Sequence, residues 1–66
     1  MHPVTIDAEI LSGEPVFTGT RVPIKALFDN LEDGMSITEF MENYPTVTMD
    51  KVVAVLELAS AKLSVA

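Results

Sequence analysis

Gly34-Met35-Ser36-Ile37-Thr38-Glu39-Phe40-Met41-Glu42-Asn43-Tyr44-Pro45-Thr46-Val47-Thr48-Met49-Asp50-Lys51-Val52 contains one helix exit, one complete short helix and the start of another. Ser36 followed three residues later by Glu39 is a capping box: the serine oxygen accepts from the third helical amide, and the glutamate reaches back to the serine amide. Met35 before the cap and Phe40 after it stand at the hydrophobic-staple positions. Pro45 ends this helix near Asn43, because proline excludes the preceding residue from helical geometry. Thr48 then caps a new helix, with Asp50 in its first turn where the helix dipole favours a carboxylate. Val47 and Val52 fit a second staple.

Upstream of Gly34, the residues Ile24, Leu27, Phe28 and Leu31 recur at i, i+3, i+4 and i+7, a single apolar stripe. Pro23 suits the start of that helix and Gly34 its exit in left-handed conformation. The first helix is expected at 23–33, with Lys25 and Asp29 placed for an i,i+4 ion pair. Downstream, the third helix is expected to run to about Leu63. Its middle, Val52 to Ala59, is apolar on nearly every side. A surface helix carries one apolar stripe, so a second cover is expected here. An oligomer interface formed by Val52, Val53, Val55, Leu56 and Leu58 is the expectation, in a dimer or against a partner.

The first 22 residues read differently. Pro3, Gly13, Pro15, Gly19 and Pro23 break the chain, and short β-favouring pieces lie between them. A hairpin is expected near 15–22, turning at Thr18-Gly19 where glycine supplies a positive φ. Residues 4–7 are placed for a third strand. The expected fold is therefore mainly α: a three-helix, helix-turn-helix-like unit (23–66) preceded by a β or irregular arm with a short hairpin (1–22), in one domain.

Composition narrows the function. Sixty-six residues make one small domain, 48% of them apolar, with no cysteine and a single histidine, His2. Disulfides and thiolate metal sites are excluded, and no cofactor or metal is expected. Ten carboxylates against four bases give a net charge of −6, which opposes a polyanionic partner and suits a basic protein. No apolar run is long enough to span a bilayer and no signal-peptide pattern opens the chain, so a soluble cytoplasmic protein without membrane partners is expected.

No nucleophile-base pairing or phosphate loop is present, and no enzyme is expected. Asp29, Glu32 and Asp33 fall on the face opposite Leu27 and Leu31, where a solvated acidic surface is the simpler reading. In a helix-turn-helix unit the third helix would enter the major groove. Its first turns offer Thr48, Asp50 and Lys51, without the Arg, Asn or Gln that read base edges. Binding of DNA by this chain alone is therefore expected to be weak at physiological salt. Arg21, in the turn with Thr20, has two readings: a structural cover for the hairpin, or a planar fork of donors for a phosphate or an acidic partner site. Arg21, Thr20, Lys25, Thr48 and Lys51 form the candidate set for partner or DNA contact.

The run Ser12-Gly13-Glu14-Pro15-Val16-Phe17-Thr18-Gly19-Thr20-Arg21-Val22-Pro23-Ile24, with Asp33-Gly34-Met35-Ser36, Glu39-Phe40 and Tyr44-Pro45 after it, resembles the domain of unknown function family 433. These small proteins are grouped with antitoxins of the VapB type, and the likeness covers nearly the whole chain. The resemblance implies a helix-turn-helix-like antitoxin of a type II toxin–antitoxin pair. Its implied partner is a PIN-like ribonuclease toxin encoded next door, with autorepression of the operon by the complex. Gly19, Thr20, Arg21 and Pro23 match the family signature, and Tyr44-Pro45 its inter-helix turn. The acidity and the base-poor third helix depart from a DNA-binding member. The alternative expectation is a homodimeric helix-turn-helix transcriptional regulator without a toxin.

Overall fold

A computed structural model describes residues 2–64. The described chain is mainly helical, with a two-stranded antiparallel sheet at its N-terminal end. Strand β1 (Val4–Thr5) pairs with β2 (Val16–Phe17), Val4 opposite Phe17 and Thr5 opposite Val16. Three helices follow: α1 (Ile24–Glu32), α2 (Ile37–Asn43) and α3 (Met49–Leu63).

The sheet is arranged somewhat differently from the expectation. The hairpin near 15–22 forms, but its return leg is a single bridge between Val16 and Pro23. The Phe17 amide donates to Val22 O and the Ile24 amide to Pro15 O, both at 3.0 Å. Pro23 has no amide to extend this ladder. The regular pairing is instead with residues 4–5, and it stops there because the chain turns at Asp7, whose carboxylate accepts from the Glu9 amide. A short 3-10 turn, Leu11–Gly13, then connects to β2 with three successive positive φ values: 48° at Leu11, 56° at Ser12 and 88° at Gly13.

The helix ends match their chemistry. Pro23 is the N-cap of α1, one position outside the helix. At the other end the Met35 amide donates to Asn30 O (2.9 Å) and the Gly34 amide to Leu31 O (3.0 Å), with Gly34 at φ +86°. That nested pair is a Schellman motif, which satisfies two carbonyls the helix leaves unpaired. Both bonds of the Ser36–Glu39 capping box form, at 3.1 Å and 3.0 Å. Thr48 Oγ1 caps α3 by accepting from the Lys51 amide.

The core collects the apolar faces of all these pieces. Phe17, Leu27, Phe40, Val47, Val52 and Val55 form one buried cluster, and no polar side chain is buried with them among the described residues. Phe40 is central: its ring centroid lies 6.1 Å from Phe17 and 4.9 Å from Tyr44, both pairs tilted. Tilted aromatic pairs at these spacings add about 0.5–1.5 kcal/mol beyond burial. Phe40 thus ties the sheet to the Tyr44-Pro45 turn.

This core corrects the expected interface. Val52 and Val55 are 0% and 2% exposed inside the chain's own core, and Leu56 packs against that core. They are covered by Phe17, Leu27, Phe40 and Val47 rather than by another chain. Leu58 is half-buried, and of the five residues only Val53 stands exposed. The apolar middle of α3 serves mostly as the third wall of its own domain.

Candidate functional site

The turn between Phe17 and Val22 is fastened from within and from the side. Gly19 adopts φ +82°, a region that side-chain-bearing residues rarely enter. The Thr20 hydroxyl donates to Phe17 O (2.8 Å) and accepts from the Val22 amide (3.1 Å), so it closes the loop in both directions. Thr18 straps the turn to the first residues: its amide donates to Pro3 O and its hydroxyl to His2 O. Because that hydroxyl proton is committed to His2, Thr5 is the donor in the 2.8 Å hydroxyl pair between Thr5 and Thr18. The outcome is a rigid tip with Arg21 at its end.

The tip meets the first turn of α3. Lys51 Nζ lies 3.8 Å from the point a Cβ on Gly19 would occupy. His2, Pro3, Thr18, Asp50, Lys51 and Ala54 line a shallow open cleft of about 190 Å³ beside this contact. Two of the chain's four bases, Arg21 and Lys51, are therefore carried by the turn and by the helix start packed against it.

The candidate residues divide by what they already do. The Thr20 hydroxyl is spent on the turn, and that of Thr48 on capping α3. Lys25 is paired with Asp29 one helical turn on. The hydrogen bond to Asp29, and after it the Asp29 charge, hold the Lys25 ammonium above its ordinary pKa. Arg21 is exposed and makes no hydrogen bond or ion pair among the described residues. Of the five, Arg21 and Lys51 are the two whose side chains make no hydrogen bond or ion pair among the described residues.

Sequence reasoning placed Val53 on a second surface of α3 but missed Met49 and Leu63 beside it. Among the described residues, the large apolar side chains left exposed are Ile6, Leu11, Met49, Val53 and Leu63. Three of them belong to α3. The signal was present in their spacing, but the nearly all-round apolar character of 52–59 obscured which residues face inward. The strap through Thr5 and Thr18 was also missed, since two threonines thirteen residues apart announce no pairing without the strand register.

No helix among the described residues is long and apolar enough to cross a membrane. A family model described as "Protein of unknown function (DUF433)" matches residues 4–59. No curated protein and no solved structure matches the chain.

Proposed function

The chain belongs to the DUF433 family of proteins of unknown function, and from that premise we propose that it is the antitoxin-like partner of a type II toxin–antitoxin pair. It neutralises a PIN-like ribonuclease by docking on it, and represses its operon as a complex. The observation that carries the reading is the exposed apolar edge of α3, with Met49, Val53 and Leu63 at 46%, 41% and 81% exposure, on a chain of net charge −6. Such a surface suits a basic protein better than a polyanion. The toxin class rests on the family resemblance, not on the geometry.

Co-expression with the adjacent open reading frame tests this. The neighbour should arrest growth when expressed alone, and this chain should relieve the arrest and co-purify with it. A harmless neighbour, or one that does not co-purify, removes the antitoxin reading.

A DNA-binding regulator is the second reading, favoured by the placement of Arg21 and Lys51 on the joined turn and helix start. A gel shift with the chain's own upstream DNA across a salt series separates the two. Phosphate contacts would show as an affinity that falls steeply with salt. No shift at low salt removes the regulator.

A further inference from the structure

Helix α3 has two apolar faces, and the fold covers one of them. Val52 and Val55 enter the core. A second line runs along Met49, Val53, Leu56, Ser60 and Leu63, at alternating steps of four and three residues and apolar at every position but the exposed Ser60. That spacing, averaging about 3.5 residues, is the one by which a helix presents a continuous seam to another helix. Leu56 leans on the core, whereas Met49, Val53 and Leu63 are exposed.

We propose that this line is a docking seam for an amphipathic helix of a basic partner protein, one that carries Lys or Arg beside its own apolar seam. The proposal rests on the binding-module reading above and deepens it. The two flanks of the seam decide the occupant. On one flank stand Val52 and Ala59, buried and half-buried within the domain. On the other stand Asp50 and Glu57, seven residues apart and both exposed, with no ion pair among the described residues.

Flanking residues of paired helices face one another across the seam. A second copy docked antiparallel would set Asp50 and Glu57 against their own counterparts, a like-charge arrangement. Docked parallel, it would bring them against Val52 and Ala59, which the domain's own core covers. Six net negative charges on each copy add to the repulsion. A partner helix with Lys or Arg a heptad apart meets Asp50 and Glu57 with opposite charge and covers Met49, Val53 and Leu63 in one contact.

The test titrates two labelled helical peptides, each of about three heptads with Leu at the seam positions, into the full chain and follows fluorescence anisotropy. One peptide has Lys at the flanking positions and the other has Glu. The Lys peptide should bind about tenfold or more tightly than the Glu peptide. Val53→Ser and Glu57→Lys should each weaken it by about tenfold, and Glu57→Lys should narrow the gap between the peptides. Ile6→Ser, outside the seam, should leave both affinities unchanged. Melting curves of all three variants check that they fold, and each alters an exposed side chain.

Equal binding of the Lys peptide by the wild-type, Val53→Ser and Glu57→Lys chains overturns the seam as the site. A wild-type chain that sediments as a dimer, and as a monomer after Val53→Ser, overturns the choice of occupant in favour of a second copy. No toxin takes part in these measurements, so their failure is distinct from failure of the co-expression test.

Discussion

Lys51 Nζ lies 3.8 Å from where a Cβ would project from Gly19, so the turn between Phe17 and Val22 rests on the first turn of α3. That distance is ordinary van der Waals contact, and a methyl group fits there. The φ of +82° at Gly19 is what excludes a side chain. Gly19→Ala should cost about 1–2 kcal/mol, the usual penalty for a left-handed L-residue, and lower the melting temperature by roughly 4–16 °C in a chain of this size. Adding Lys51→Ala should not restore it. Recovery of the melting temperature in the double variant would show that crowding, not backbone strain, sets the cost.

Ser36 and Glu39 exchange two hydrogen bonds at the start of α2, and Ser36→Ala should destabilise the chain by about 1 kcal/mol. The same pair gives an acid dependence. The bond from the Ser36 amide, and then that with the Ser36 side chain, hold the Glu39 carboxyl below the usual carboxylate range. A group with a depressed folded pKa contributes stability that is fully present above its unfolded value, about 4.3 for glutamate. That contribution is lost as pH falls through the lower folded value. Melting temperatures measured against pH should therefore fall less steeply on the acid side for Glu39→Gln than for the wild-type chain. Parallel acid limbs would sink the assignment.

Leu11 and Ser12 occupy left-handed conformations that no sequence pattern announced, at φ 48° and 56°. Glycine adopts this region without steric penalty, although it loses more backbone freedom on folding. Relief of about 1–2 kcal/mol of strain exceeds the roughly 0.5–1 kcal/mol of added entropy. Ser12→Gly should leave stability unchanged or raise the melting temperature by a few degrees. A drop of several degrees would mean that the Ser12 side chain contributes something its exposed position does not suggest.

Helix boundaries were legible because their determinants are local. Ser36 with Glu39, Thr48 and Gly34 each act within a turn or two of chain and form the contact their residue type predicts, and Pro23 marks the start of α1 through its fixed φ, without a capping bond. The sorting of α3 was not local. Val52, Val53 and Val55 are identical in type, and only the positions of Phe17, Leu27 and Phe40, brought in from β2, α1 and α2, decide that Val53 stays outside. The same holds for the turn: Gly19 and Thr20 announce it, whereas its strap to Thr5 and His2 and its contact with Lys51 depend on pairing across the fold. The sequence allows Arg21 two roles, and its exposure without an intramolecular partner among the described residues favours the outward one. Arg21→Ala should accordingly change stability by no more than about 0.5 kcal/mol, as at a surface site without special contacts. A large fall in melting temperature would return it to a structural role.

Val53 and Val55 give the sharpest contrast along α3, at 41% and 2% exposure. Val55→Glu would bury a carboxylate among Phe17, Leu27 and Phe40 with no partner, at a cost of several kcal/mol. A chain of this length has a total stability of roughly 3–10 kcal/mol, so that variant should be largely unfolded. Val53→Glu places the same charge in solvent and should keep the helical circular dichroism and a melting temperature near that of the wild type. If both variants unfold, another part of the molecule covers Val53. If both fold equally well, Val55 lies outside the core. The expected split, one unfolded and one folded, makes Val53→Glu the variant in which partner binding can be measured without loss of the fold.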